Sequence, residues 1–117
     1  MIYPELFKKI LIEYEKLPFG GTSKMIDIEG YTEEEIIHHQ QLLERAGYIK
    51  FKIQWADDKP YAVFAESLTY EGHEFLRHAL NDKFWKRALK EIAKKNLPVT
   101  IQIIAQLISA YVKQAAS

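Results

Sequence analysis

The sequence predicts one α+β domain, because amphipathic helical segments surround a single well-marked pair of β-strands. Residues 49–55 alternate apolar side chains with lysine or glutamine, which is the two-residue period of a half-buried strand. Helix-starting signals at Thr32 and Thr69 lie on either side of that pair. A chain of 117 residues suits a single domain, in which residues 1–80 form the core and the helices of residues 81–117 pack on it.

The first helix is predicted over residues 4–16. Pro4 suits its start, because the N–H of a first-turn residue has no intrahelical partner. Residues 17–21, Leu-Pro-Phe-Gly-Gly, end this helix, and residues 25–28 form a short strand candidate. The apolar side chains of the helix recur at spacings of three and four and give one stripe that we expect to be buried: Leu6, Phe7, Ile10, Leu11 and Tyr14.

The second helix carries the clearest start signal. The Thr32 hydroxyl can accept a hydrogen bond from the N–H of Glu35, whose carboxylate can reach back, which is a capping box. Gly47 supplies the left-handed residue that commonly follows a helix. The apolar side of this helix consists of Ile36, Ile37, Leu43 and Ala46.

A β-hairpin is predicted next. Residues 56–60, Ala-Asp-Asp-Lys-Pro, have turn chemistry, and residues 61–66 form the return strand. Residues 68–72 then open a third helix with Thr69 as its cap. The side chains of this helix that we expect to point inward are Phe75, Leu76, Ala79 and Leu80.

Two further helices complete the predicted fold. The fourth begins at Asn81 and reaches about Lys95, and Asn-Leu-Pro at residues 96–98 breaks the chain after it. The last helix runs from about Val99 to Gln114. The inward side of the fourth helix is predicted to consist of Phe84, Trp85, Ala88, Leu89 and Ile92.

The order helix, short strand, helix, hairpin, helix resembles that of winged helix-turn-helix domains. Residues 42–49 resemble the end of a recognition helix that runs into the wing, and residues 68–76 resemble the LT-x-x-G-x-x-x-L segment that follows the wing in many winged-helix regulators. More closely, the chain resembles a family of small uncharacterised bacterial and prophage proteins, a domain of unknown function akin to the YjcQ proteins. That likeness implies a winged-helix-like fold and brings no established activity, and it is carried by residues 28–36, 46–49, 68–76 and 84–86.

One departure from the winged-helix pattern bears on function. A helix-turn-helix needs a positioning helix before the recognition helix, and residues 22–31 are too short and too extended to supply a complete one. The recognition helix itself begins with Glu33, Glu34 and Glu35, whereas duplex phosphates favour basic or amide side chains there. The sequence therefore argues against reading of a DNA duplex through this helix.

Composition and motifs exclude several classes of site. The absence of cysteine rules out disulfide frameworks, zinc ribbons and thiol nucleophiles. Glu35 and His38 form a lone Glu-x-x-His unit, whereas a carboxylate-bridged di-iron site needs two such units, and His38 and His39 are expected at the surface. No sequence around a serine is typical of a nucleophile elbow. We therefore expect no catalytic, cofactor or metal site, no small-molecule substrate and no enzymatic activity.

The distribution of apolar residues also bears on localisation. No apolar stretch reaches the ~20 residues that a membrane-spanning helix needs, and the first residues lack the apolar region of a signal peptide. The sequence therefore predicts a cytoplasmic protein without a membrane span.

The zero net charge, from 16 Lys+Arg and 16 Asp+Glu, conceals a division along the chain. Residues 1–80 carry 9 basic and 14 acidic side chains, and residues 81–117 carry 7 and 2. A basic helix face of the kind this predicts can bind phosphate groups, anionic lipid or acidic protein surfaces. The residues predicted to contact an anion or a nucleic acid are Lys50, Lys52, Lys83, Lys86, Arg87, Lys90 and Lys94.

The last helix is apolar around much of its circumference, which is more than one side of a small domain can cover. We therefore expect it to contact another subunit or a partner through Ile103, Leu107 and Tyr111. The leading hypothesis is a non-enzymatic protein-interaction or dimerisation module of bacterial or prophage origin, whose partner is a second copy or a heterologous protein. The alternative is a DNA-binding protein that resembles a transcriptional regulator, with nucleic acid as its partner.

Overall fold

Five helices and one β-hairpin follow each other in the computed structural model, which describes residues 1–117. The fold is α+β, as predicted, and none of its helices combines the length and the apolar character that crossing a bilayer requires. In chain order the elements are α1 (Pro4–Glu15), α2 (Glu33–Arg45), β1 (Ile49–Ala56), β2 (Lys59–Leu68), α3 (Tyr70–Ala79), α4 (Asp82–Lys95) and α5 (Ile101–Ala116).

The starts of α2, α3 and α4 are set by capping side chains at positions that the sequence marks. The Thr32 hydroxyl accepts from the N–H of Glu35 at 3.1 Å, and the Glu35 carboxylate accepts from the N–H of Thr32 at 2.9 Å, so the predicted capping box forms. Thr69 caps α3 and Asn81 caps α4 in the same way, through a side-chain oxygen. These caps satisfy backbone N–H groups that have no acceptor inside the helix, which is why the predicted and observed starts agree.

β1 and β2 form an antiparallel two-stranded sheet with a turn shorter than predicted. Asp57 and Asp58, the two turn residues, both have left-handed backbones with φ of 50° and 63°. Positive φ at both central residues is the requirement of a two-residue type I′ hairpin turn. The strands therefore extend to Ala56 and Lys59, beyond the limits that the sequence predicts.

The segment between α1 and α2 contains no helix. The prediction of a strand at residues 25–28 is wrong, and only Thr22 reaches the sheet, through backbone hydrogen bonds of 2.8 and 2.9 Å with Ala65. Gly21 permits this approach, because its φ is +77° and a Cβ at this position would overlap the carbonyl oxygen of Ala65. An irregular loop thus takes the place of a positioning helix.

The core lies around α1, which packs against α2, β2 and α3. α4 and α5 pack against α3 and against each other, and Trp85 of α4 reaches α1, where its indole N–H donates to the Glu5 carboxylate at 2.5 Å. The prediction that Leu80 points inward is wrong, because it follows the last turn of α3 and is half exposed. The completely buried side chains of α1 are Leu6, Ile10 and Leu11, with Phe7 almost so.

Candidate functional site

A largely apolar groove, here called the α3–α5 groove, lies between those two helices. Its floor is Tyr48, which follows α2, stacked on Phe75 of α3 with ring centroids 5.1 Å apart and ring planes 19° apart. Ile108 and Val112 of α5 form the opposite wall, and Tyr70, which is 75% exposed, stands at the edge. The groove has a volume of about 370 Å³, which is enough to receive a ligand or the side chains of a partner.

Contacts between the turn after α2 and the start of α3 hold Tyr48 in place. The N–H of Thr69 donates to the Tyr48 carbonyl at 3.0 Å, and the Thr69 hydroxyl donates to the Gly47 carbonyl at 2.6 Å. Gly72 lies directly against the same Tyr48 carbonyl, whose oxygen a Cβ at this position would overlap. The two sequence segments that resemble winged-helix regulators therefore meet beside the groove.

The α3–α5 groove carries charges of both signs. Glu71 and Lys113 line it, and neither forms an ion pair with another side chain within 4 Å, whereas Glu74 pairs with Arg77 at 3.2 Å. Burial raises the pKa of Tyr48, and the Glu71 carboxylate raises it further, so the phenol stays neutral at physiological pH. The groove therefore offers an aromatic floor beside one free carboxylate and one free ammonium group.

A second depression continues from the groove along the outer side of α5. It shares Tyr48, Ala105, Ser109 and Lys113 with the groove. Because several α5 side chains here are small, another helix can approach the α5 backbone closely, since interaxial distances depend on the side chains at the contact. The α5 residues that line this depression are Gln102, Ala105, Gln106, Ser109, Ala110 and Lys113.

The α5 residues predicted to form an interface lie away from this groove. Ile103 and Leu107 are half-buried and pack against the core. Tyr111 is only 3% exposed, its hydroxyl donates to the Glu91 carboxylate, and the Arg87 guanidinium lies 4.0 Å from its ring centre. Burial, together with the bond to Glu91, raises the pKa of Tyr111 to about 12. The structure corrects the prediction for Tyr111, which joins α5 to α4 inside the molecule.

The residues predicted to contact an anion fall into two separate groups. Lys50 and Lys52 of β1 share a depression of about 200 Å³ with the carboxylates of Glu44 and Glu66, which reduce their attraction for an anion. Arg87 of α4 is engaged with the Tyr111 ring and with Gln114. The remaining predicted residues project from α4 as exposed side chains: Lys83, Lys86, Lys90 and Lys94.

Comparison with known proteins identifies the family. Residues 3–98, which include α1 to α4, match the family described as hypothetical protein DUF2513. The chain belongs to the DUF2513 family. It is also similar to an uncharacterized protein of Haemophilus influenzae (strain ATCC 51907 / DSM 11121 / KW20 / Rd), with 28% identity over 111 residues that cover 94% of this chain and 93% of the relative.

No solved structure matches this DUF2513 protein. The prediction of a small domain of unknown function is confirmed by the family match. The likeness to YjcQ proteins and the link to prophages stay predictions.

The DUF2513 chain also contains a buried polar cluster that sequence reasoning misses. His39 is completely buried; its Nδ1 lies 2.7 Å from the Glu35 carbonyl oxygen, and its Nε2 accepts from the N–H of Tyr3 at 2.9 Å. Because a carbonyl only accepts and an N–H only donates, the ring is neutral with its proton on Nδ1. Beside it, the buried Gln40 accepts from the Tyr14 hydroxyl at 2.7 Å. The expectation of a surface histidine is therefore wrong for His39.

The histidines and carboxylates of the DUF2513 chain do not converge. No three side chains of His, Asp or Glu lie close enough together to hold a metal ion. Glu35 directs its carboxylate to the capping box and its carbonyl to His39, so both groups serve the start of α2.

The buried imidazole predicts a pH-dependent stability. Burial lowers the pKa of His39 below its ordinary 6.5, so the unfolded chain takes up a proton at a higher pH than the folded protein. We expect the free energy of unfolding, measured by urea denaturation, to decrease as the pH falls below about 6.5, by at most about 1.4 kcal/mol per pH unit. His39→Gln removes this dependence, whereas His73→Gln, at an exposed position of α3, keeps it, so equal slopes in the His39→Gln variant and the natural chain would contradict the assignment.

Proposed function

We propose that this protein is a non-enzymatic, winged-helix-like binding module that self-associates through the α3–α5 groove. The observation that carries the proposal is the groove itself, which has an aromatic floor and free charges of both signs and is not covered by any segment of the chain. Exposed apolar depressions of this kind mark binding surfaces on small proteins.

The winged-helix assignment is supported by the order of the elements and by their contacts. α2 leads through Gly47 into the hairpin, and α3 returns from the hairpin onto α1. The bridge between Thr22 and Ala65 stands where a winged helix has its first short strand. Glu33 and Glu34 are exposed at the start of α2, which disfavours contact between this helix and phosphates. The winged-helix-like fold therefore acts as a scaffold that forms the groove, and a fold alone does not determine function.

A second copy of the chain suits the groove because the groove is self-complementary. A two-fold dimer brings the same patch of both copies together, so a patch with charges of one sign would repel itself. Glu71 and Lys113 lie in one groove without ion-pair partners. In a two-fold dimer, Lys113 of each copy can therefore pair with Glu71 of the other. Ala105 and Ser109 are small enough for two α5 helices to pack closely.

Binding, rather than catalysis, is favoured by the polar groups in the groove. Nucleophilic catalysis needs a hydroxyl or thiol within hydrogen-bond reach of a base. The Ser109 hydroxyl and the His78 imidazole both line the groove and form no hydrogen bond with each other. His78 Nε2 lies instead 3.5 Å from a guanidinium nitrogen of Arg77.

A single introduced cysteine tests the proposed contact, because the natural chain has none. We expect Ser109→Cys, on the exposed side of α5, to form a disulfide-linked dimer under mild oxidation, since a disulfide requires Cα atoms within about 7 Å of each other. Ala93→Cys, at an exposed position of α4, is the matched control and stays a single chain at the same concentration. Equal rates of cross-linking in the two variants would show random collision and contradict the proposal.

A further inference from the structure

Four lysines form a row along the outer side of α4, here called the α4 lysine row: Lys83, Lys86, Lys90 and Lys94. Trp85, Ala88 and Ile92 bury the opposite side of the helix, so they fix which way the row faces. The spacings of three, four and four residues keep the lysines within one face, and at 1.5 Å per residue the row extends over about 16 Å. The left-handed Asn96 ends the helix directly after the row.

No acidic side chain forms an ion pair with the row, although Asp82 lies in the first turn of α4, four residues before Lys86. None of its four ammonium groups lies within 4 Å of a carboxylate. Glu91, the acidic residue in the middle of α4, is occupied by Lys95 at 2.7 Å and by the Tyr111 hydroxyl, and these partners hold its pKa below the usual range. The excess of positive charge over residues 81–117 therefore remains available at the surface.

The composition of the row indicates the chemistry of its partner. Protein interfaces are depleted in lysine and depend on aromatic or arginine anchors, and the row contains neither. Lysine is a flexible point charge that binds phosphate without bidentate geometry. A nucleic acid presents phosphate charges densely and regularly, with one negative charge per ~1.7 Å of duplex axis.

We propose that the α4 lysine row binds the phosphodiester backbone of nucleic acid without reading its sequence. The four ammonium groups contact phosphates along one face of the helix. Arg87, the side chain on this face that is suited to bidentate contact with guanine, is turned to Tyr111 and Gln114 instead, so no base is specified. This binding surface is distinct from the α3–α5 groove and does not depend on it.

The slope of the association constant against salt concentration is proportional to the number of phosphate contacts, so it tests the α4 lysine row directly. For four contacts to a duplex, the association constant measured by fluorescence anisotropy falls about 150-fold between about 50 and 200 mM salt. Lys86→Ala/Lys90→Ala leaves two contacts, for which the fall is only about 12-fold. A single-stranded probe with a correspondingly shallower slope also supports the proposal, because the phosphodiester backbone is the shared chemistry.

Lys50 and Lys52 of β1 give a matched control with the same change of charge. Lys50→Ala/Lys52→Ala removes two exposed lysines that lie among carboxylates, and it leaves the salt dependence of the natural chain unchanged. Circular dichroism checks that both double variants are folded. The proposal is overturned if Lys50→Ala/Lys52→Ala, and not Lys86→Ala/Lys90→Ala, reduces the salt dependence of the association constant. It is overturned as well if the natural chain does not bind the duplex at low salt. It is also overturned if polyglutamate displaces the duplex as well as an unlabelled duplex does.

Discussion

We expect Gly72→Ala to lower the free energy of unfolding by about 3 kcal/mol, the upper part of the usual range for overpacked sites. The backbone of Gly72 is helical, so an intrinsic helix preference alone would make alanine the better residue by about 1 kcal/mol. The added Cβ, however, would overlap the Tyr48 carbonyl oxygen and lie 3.0 Å from its carbonyl carbon. That carbonyl cannot move freely, because it accepts the N–H of Thr69 at 3.0 Å.

Urea denaturation of Gly72→Ala, beside that of His73→Ala, measures this effect. His73 is the next residue of the same helical turn and is exposed, so its replacement changes stability by less than about 0.5 kcal/mol. A Gly72→Ala variant as stable as the natural chain would show that α3 does not rest against the turn after α2.

We expect Trp85→Ala to cost about 4 kcal/mol, as truncation of a buried aromatic residue usually does. Trp85 is 2% exposed and joins α4 to α1, where its indole N–H donates to Glu5 and the Lys8 ammonium lies 4.5 Å from its ring centre. A small domain has a total stability of about 5–15 kcal/mol, so this one change removes a large part of it. Thermal and urea denaturation both report the loss.

Glu5→Ala separates the contribution of the hydrogen bond from that of packing. It removes the acceptor of the indole N–H and keeps the ring of Trp85 in place, and because Glu5 is partly exposed we expect a cost of about 1 kcal/mol. A loss as large as that of Trp85→Ala would mean that the hydrogen bond, and not the packing of the ring, attaches α4 to the rest of the fold.

Much of the fold follows from local signals in the sequence. The caps at Thr32, Thr69 and Asn81 predict helix starts because each side chain bonds to N–H groups two or three residues away. The alternation over residues 49–55 predicts β1 for a similar reason, since it requires only the geometry of one strand. The family likeness over residues 68–76 draws attention to Gly72, whose role becomes visible only when Tyr48 is placed against it.

The sequence predictions are wrong for side chains whose burial depends on distant parts of the chain. Helical periodicity assigns polar residues to solvent, yet His39 is buried because the N–H of Tyr3, 36 residues earlier, reaches its ring. Tyr111 is apolar enough to suggest an interface, but Glu91 and Arg87 of α4 enclose it. The α3–α5 groove combines residues from α3, α5 and the turn after α2, so the sequence of no single segment predicts it. The same limits apply to any site assembled from separate helices.

Sedimentation equilibrium of the natural chain and of Ser109→Arg, each over a range of concentrations, tests the groove dimer most directly. Self-association through the α3–α5 groove predicts that the natural chain approaches the mass of two chains as concentration rises. Ser109→Arg stays at the mass of one chain, because a guanidinium group fills the close contact between the α5 helices. Ala93→Arg, which adds the same group at an exposed position of α4, associates like the natural chain. A natural chain that stays at the mass of one chain at millimolar concentration, or a Ser109→Arg variant that dimerises equally well, would contradict the proposed function.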